Sequence, residues 1–184
     1  GNTSVKIAVP MLWDPAETED VLFIKGSGRD LDAITSDGFT GLRLAPLRRL
    51  LEMEALSDED LDNQLQVNKI RADAPYPSVE SLLHAFLPYR FVDHTHADTL
   101  LALTNQEPGP EIIREALGPK VAILPYAMSG LPMARALREA YRADPSIEAV
   151  VFLHHGIFTF SDDANTAYSR MIDYVTWAEE DLAR

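Results

Sequence analysis

The sequence contains no cysteine, which excludes disulfides and thiolate metal sites and leaves histidine and the carboxylates as the strong ligand types. It also lacks basic charge: 16 Lys and Arg against 29 Asp and Glu give a formal net charge of −13, the wrong sign for a nucleic-acid surface. The acidic residues are dispersed, as in Asp14 to Asp20 and Asp58-Glu59-Asp60, so they read as solvated faces that favour solubility. An anionic substrate would therefore have to be held by local N–H groups and a few basic side chains. No apolar run approaches the ~18 residues of a membrane helix, and no basic stretch followed by an apolar core marks a signal peptide, so a cytoplasmic protein is expected. Internal repeats and low-complexity tracts are absent as well. Histidine is scarce: the five are His84, His94, His96, His154 and His155.

What is present is enough for one domain over residues 1–184. The chain opens on Gly1-Asn2 without Met and stops at Arg184 in mid-pattern, which reads as a fragment of a longer polypeptide. Residues 3–9 alternate and are β-branched, predicting a strand, and after a polar loop over 10–20 Val21 to Lys25 predicts a second. That second strand runs into Gly26-Ser27-Gly28-Arg29, a turn permissive enough to aim backbone N–H groups at an anion. Residues 39–44 read as a third strand, Pro46 as the opening of a helix to Ala55, and Ser57 as the cap of a helix over 58–72. After Pro75 and Pro77, Ser78 is the expected cap of a short helix with Glu80 in its first turn and His84 on the same face. The bland reading makes Glu80 a favourable charge at the helix start and His84 a partly buried partner.

Phe91-Val92-Asp93-His94-Thr95-His96 then carries two histidines to one side of an extended strand, since side chains alternate with period two. Residues 97–104 and 111–117 read as helices, 120–124 as a strand, and a further helix starts near Gly130 and runs to Ala143. Ile147 to Leu153 is the clearest buried strand. It delivers His154-His155-Gly156, followed by an antiparallel return strand over 157–160 and a last helix capped by Ser161 or Asp162. The fold class expected is α/β, a central, mostly antiparallel sheet flanked by helices in three layers. Three imidazoles leave an open position on a zinc ion. His94, His96 and one of His154 or His155 can supply them, with Glu80 available as fourth ligand or base. Strand alternation lets only one of the adjacent pair face the site, and Gly156 would let the chain pass close to a metal, which favours His155.

Taken together, Glu80 in Pro-Ser-Val-Glu-Ser, the His94-Thr-His96 pair and Leu-His154-His155-Gly156 resemble the class II aldolase/adducin family. Within it, Gly1-Asn2-Thr-Ser-Val-Lys, Ile24-Lys-Gly-Ser27-Gly28 and Val92-Asp-His-Thr-His-Ala-Asp98 are most similar to the aldolase portion of bifunctional rhamnulose-1-phosphate aldolase/alcohol dehydrogenases. The resemblance implies one Zn²⁺ per chain on His94, His96 and His155, with Glu80 as proton-abstracting base. It also implies phosphate binding by Asn2, Ser27, Gly28 and Ser78, and a homo-oligomer, commonly a tetramer. The implied reaction cleaves a ketose phosphate to dihydroxyacetone phosphate and an aldehyde, the metal stabilising the enediolate. Lys6, Lys25 and Lys120 carry no feature pointing to the alternative, an imine. A pentulose-phosphate epimerase or dehydratase of the same family, a metal-dependent hydrolase and a non-catalytic adducin-like module are the competing expectations.

Overall fold

A computed structural model describes residues 1–184. The chain divides into two compact units, one of Asn2–Arg90 with Met128–Arg135, the other of Gly1, Phe91–Ala127 and Ala136–Arg184. In the first, β1 (Asn2–Pro10) and β2 (Thr18–Lys25) form an antiparallel hairpin in register from Ser4↔Ile24 to Pro10↔Thr18. Its connection is shorter than the sequence loop: Met11 N–H donates to the Glu17 carbonyl, so β2 begins at Thr18. β3 (Phe39–Arg43) pairs antiparallel with the other side of β2, giving the order β3-β2-β1.

Three helices accompany these strands. α1 (Leu44–Leu50) starts two residues before Pro46, which its first turn tolerates because proline lacks only an N–H that has no intrahelical acceptor there. α2 (Asp58–Val67) is capped as expected, the Ser57 hydroxyl accepting from Asp60 N–H at 3.0 Å. It stops well short of residue 72 because Asn68 turns back, its side-chain amide donating to the Gln64 carbonyl at 2.8 Å. α3 (Ser81–Phe86) begins later than expected and places Glu80 at the cap position, outside the first turn. The Ser78 hydroxyl still braces this start by accepting from Glu80 N–H at 3.2 Å. Val21, Leu22, Ile24, Leu42, Leu47, Leu65, Leu82 and Leu83 are buried in this unit.

In the second unit β4 (Phe91–Thr95), β5 (Val121–Leu124), β6 (Ala149–Phe152) and β7 (Gly156–Ser161) lie in the order β4-β7-β6-β5. β4–β7 and β6–β7 are antiparallel, whereas β5–β6 is parallel, as a connection through a helix allows. That helix is α6 (Leu131–Ala143), whose residues through Arg135 count with the first unit. α4 (Asp98–Thr104), α5 (Gly109–Leu117) and α7 (Ala164–Leu182) complete it. Leu100, Leu103, Ile113, Met171, Tyr174 and Ala178 from these helices pack with Val121, Ala149, Val151 and Ile157 into one apolar cluster. The cap of α7 is Asp163, not Ser161 or Asp162: its carboxylate accepts from Thr166 N–H at 2.8 Å, while Ser161 accepts from Asp163 N–H. The expected α/β class with mostly antiparallel strands and flanking helices is what the chain forms. No helix is long and apolar enough to cross a membrane.

Candidate metal centre

β4 ends where its second histidine begins. Phe91 and Val92 anchor the strand, Val92 fully buried, and the antiparallel register sets His94 opposite Phe158 on β7. The two rings stack at 3.8 Å and 9°, and His94 is 2% exposed. His94 Nδ1 lies 2.9 Å from the Ile157 carbonyl, which can only accept, so Nδ1 carries the proton and Nε2 keeps its lone pair. Metal-ligating histidines have this pattern: the outer N–H on a carbonyl, the inner nitrogen left to coordinate.

His96 follows directly after β4, and His155 stands in the turn between β6 and β7. Their Nε2 atoms face each other at 3.2 Å. Two nitrogens on a tetrahedral zinc with bonds of ~2.0–2.1 Å stand roughly 3.3 Å apart, so this spacing also suits a shared cation. The ligand nitrogens of His94, His96 and His155 all lie within 4.8 Å of one another. This all-nitrogen set fits a divalent metal such as zinc, and its neutral imidazoles are the right donors. Gly156 makes the approach possible: a Cβ there would sit 2.3 Å from the Thr95 carbonyl oxygen and 3.1–3.2 Å from the His96 and His94 rings.

His154 and His155 both lie in a turn, so strand alternation does not separate them. The separation comes from the backbone. His154 is left-handed at φ 61°, and its ring turns away to Asn105, Nδ1 to Oδ1 at 2.7 Å. His155 joins the other two rings, with centroids 4.7 Å from His96 and 5.2 Å from His94.

The remaining expected site residues fall in the first unit. Glu80 is 6% exposed, and the Asn2 side-chain amide donates to its Oε2 at 2.5 Å and to the Ser78 hydroxyl at 3.1 Å. Asn2, Ser78 and Glu80 are thus one buried polar cluster. Ser4, two residues along β1, takes the next helical position, its hydroxyl 2.7 Å from Nδ1 of the fully buried His84. His84 is therefore a structural partner, and it is fully buried where its bland reading makes it partly so. The Gly26-Ser27-Gly28 turn offers an anion less backbone than expected. Gly26 N–H donates to Gly38 and Ser27 N–H to Tyr76, which leaves the Ser27 hydroxyl and the left-handed Gly28 to do so. The same bonds hold the turn against the Tyr76-Pro77 segment that leads to Ser78. Ser27 and Arg29 border a cavity of about 580 Å³ that is also lined by Phe23, Phe39 and Tyr76. Sequence reading missed Phe158, the Ile157 carbonyl and Asn105. Only the alternation along β7, which puts Gly156, Phe158 and Phe160 on one face, could have pointed to Phe158.

Residues 1–182 match the family described as Class II Aldolase and Adducin N-terminal domain. The chain belongs to that family. Among solved structures, this class II aldolase-type chain is similar to the N-terminal class II aldolase domain of a conserved protein from Thermoplasma acidophilum. Identity is 36%, the TM-score is 0.90, and the match covers 100% of this chain and 83% of that one. The whole-chain agreement shows the same fold, the three-layer α/β type expected from the sequence. A sugar-phosphate aldolase from Thermotoga maritima has the fold at 17% identity and TM-score 0.69, over 99% and 84% of the two chains. An uncharacterized oxidoreductase, YuxG, from Bacillus subtilis is 33% identical over 180 residues. That match takes in 98% of this chain but 26% of the relative, so the aldolase-family chain spans about a quarter of its length.

Proposed function

We propose that this chain is a zinc-dependent, aldolase-type lyase that cleaves a ketose phosphate of the rhamnulose-1-phosphate kind to dihydroxyacetone phosphate and an aldehyde. The observation that carries the reading is the convergence of three imidazole nitrogens with the His94 tautomer fixed for coordination. His94, His96 and His155 would hold the ion. When bound, such an ion supplies Lewis acidity to the substrate carbonyl, lowering the cost of the carbanion that carbon–carbon cleavage leaves.

In this reading Glu80 handles the proton at C3. In cleavage the C3–C4 bond breaks, the C4 hydroxyl gives its proton to solvent as it becomes the aldehyde carbonyl, and Glu80, protonated at that stage, delivers a proton to C3, so that none is gained or lost overall. In the addition direction Glu80 removes that proton. Burial and the Asn2 hydrogen bond hold the carboxylate in one orientation, which positioned proton transfer requires. The substrate phosphate falls to Asn2, Ser27, Gly28 and Ser78, by amide, hydroxyl and backbone donors. This choice suits a chain whose net charge of −13 attracts no anion from a distance. The shared fold of the sugar-phosphate aldolase from Thermotoga maritima supports the substrate class. The share of YuxG covered supports residues 1–184 being one aldolase-like domain of a longer, bifunctional polypeptide.

Incubation with L-rhamnulose 1-phosphate, with dihydroxyacetone phosphate trapped by a coupled reductase, tests the reaction. Triose release is expected. An epimerised sugar phosphate without triose would assign the site to epimerisation instead. Glu80→Gln should retain one metal per chain and lose about 10²–10⁴-fold in turnover. Near-normal turnover in that variant would remove Glu80 from the role.

A further inference from the structure

His154 is the one residue other than glycine with a positive φ, at 61°. L-residues avoid this conformation because Cβ crowds the carbonyl oxygen, and it persists where the surroundings over-determine it. Here they do so from one side. His154 Nδ1 lies 2.7 Å from Asn105 Oδ1, and His154 N–H points to Thr104 Oγ1 at 3.4 Å. The turn is closed by His155 N–H donating to the Phe152 carbonyl. Both gripping residues stand at the C-terminal end of α4, Thr104 as its last residue and Asn105 as its cap.

α4 therefore touches the histidine cluster at both ends. Its N-cap, Ala97, directly follows His96, and its C-cap holds the residue directly before His155. The helix is seven residues long and packs through Leu100 and Leu103 into the apolar cluster, so it is a rigid spacer between the two segments. A left-handed residue before His155 reverses the chain so that the next ring points back at His94 and His96. An extended His154 would send it elsewhere.

We propose that His154 and Asn105 are positioning residues for the third metal ligand. Their hydrogen bond holds the left-handed turn and thereby aims His155 at the other two imidazoles. The proposal rests on the metal reading above and adds a device to it: neither residue is a ligand, yet both set the affinity of the site.

Zn²⁺ titration of the whole polypeptide, by competition with a chromophoric chelator, tests this, alongside thermal unfolding of each metal-free variant. Asn105→Ala removes the acceptor and is expected to weaken Zn²⁺ binding about tenfold or more. His154→Gly accepts the positive φ without strain and lacks only the ring, so a similar loss isolates the bond from the backbone. Because one bond is shared, the double variant should be no weaker than either single by more than about threefold. Asn105→Asp keeps the acceptor oxygen and should stay within about threefold of wild type, a rescue that a merely structural role would not show. Wild-type affinity in a folded Asn105→Ala or His154→Gly would overturn the proposal while leaving the metal centre standing. A wild-type chain that binds no Zn²⁺ would overturn the metal reading itself, and this proposal with it.

Discussion

A single missing side chain shapes the centre. At Gly156 a methyl group would meet the Thr95 carbonyl oxygen at 2.3 Å, and a backbone oxygen cannot swing aside as a flexible side chain would, so β4 and β7 would have to separate. His94 and His96 sit on and beside that point of β4, and His155 precedes the glycine. Gly156→Ala should therefore cost about 1–3 kcal/mol of stability from overpacking. It should also lower metal occupancy, read by urea unfolding and by metal analysis of the purified variant. Full occupancy at wild-type stability would show that the strands have slack. The close approach was legible from the glycine following two histidines. The atom it approaches was not, since Thr95 lies about sixty residues away in the chain.

Where elements meet, charge ties the β5–β6 edge to α7. Glu148, just before β6, accepts from Lys120 Nζ at 2.8 Å and lies 3.1 Å from Arg170 Nη2 on α7. The Lys120 hydrogen bond first, and then the Arg170 charge, hold its carboxyl below the ordinary value of 4.5 against the opposing effect of burial. A lowered folded value means stabilisation that is fully present above the unfolded value and lost as pH falls through the folded one. Glu148→Gln should then be less stable than wild type at pH 6, with the difference shrinking below about pH 4.5, followed by urea midpoints across that range. The exposure of Lys120 keeps the effect small. A pH-independent difference would assign the loss to packing. Helix ends are the other lesson at this scale. Ser57 announced α2 because a cap is local, whereas the end of α2 depended on Asn68 turning back to Gln64, and Glu80 fell outside α3.

Across the whole molecule the metal would act as a folding ligand. An ion bound only by the folded state stabilises by mass action, about 2.7 kcal/mol when its free concentration is a hundred times Kd. Zn²⁺ should raise the melting temperature and a chelator should reverse the rise. His94→Ala combined with His96→Ala should abolish the response, as followed by calorimetry. A zinc-dependent shift surviving in that double variant would place the ion elsewhere. The net charge of −13 would leave the capture of any anionic substrate to local donors.

By itself the sequence determined what is local. The β-branched alternation of β1, the buried run of β6, the Ser57 cap, and His94 on β4 sharing a side with His96 just beyond it all follow from period and propensity over a few residues. Cysteine's absence left nitrogen and oxygen as the donors. Only the tertiary structure decided that His155 and not His154 turns inward, that Asn2 grips Glu80 at a separation of 78 residues, and that Ile157 sets the His94 tautomer 63 residues away. Those choices depend on backbone groups brought together by strand register and chain reversal, and a hydrogen bond between distant segments leaves no periodic trace in the chain that makes it.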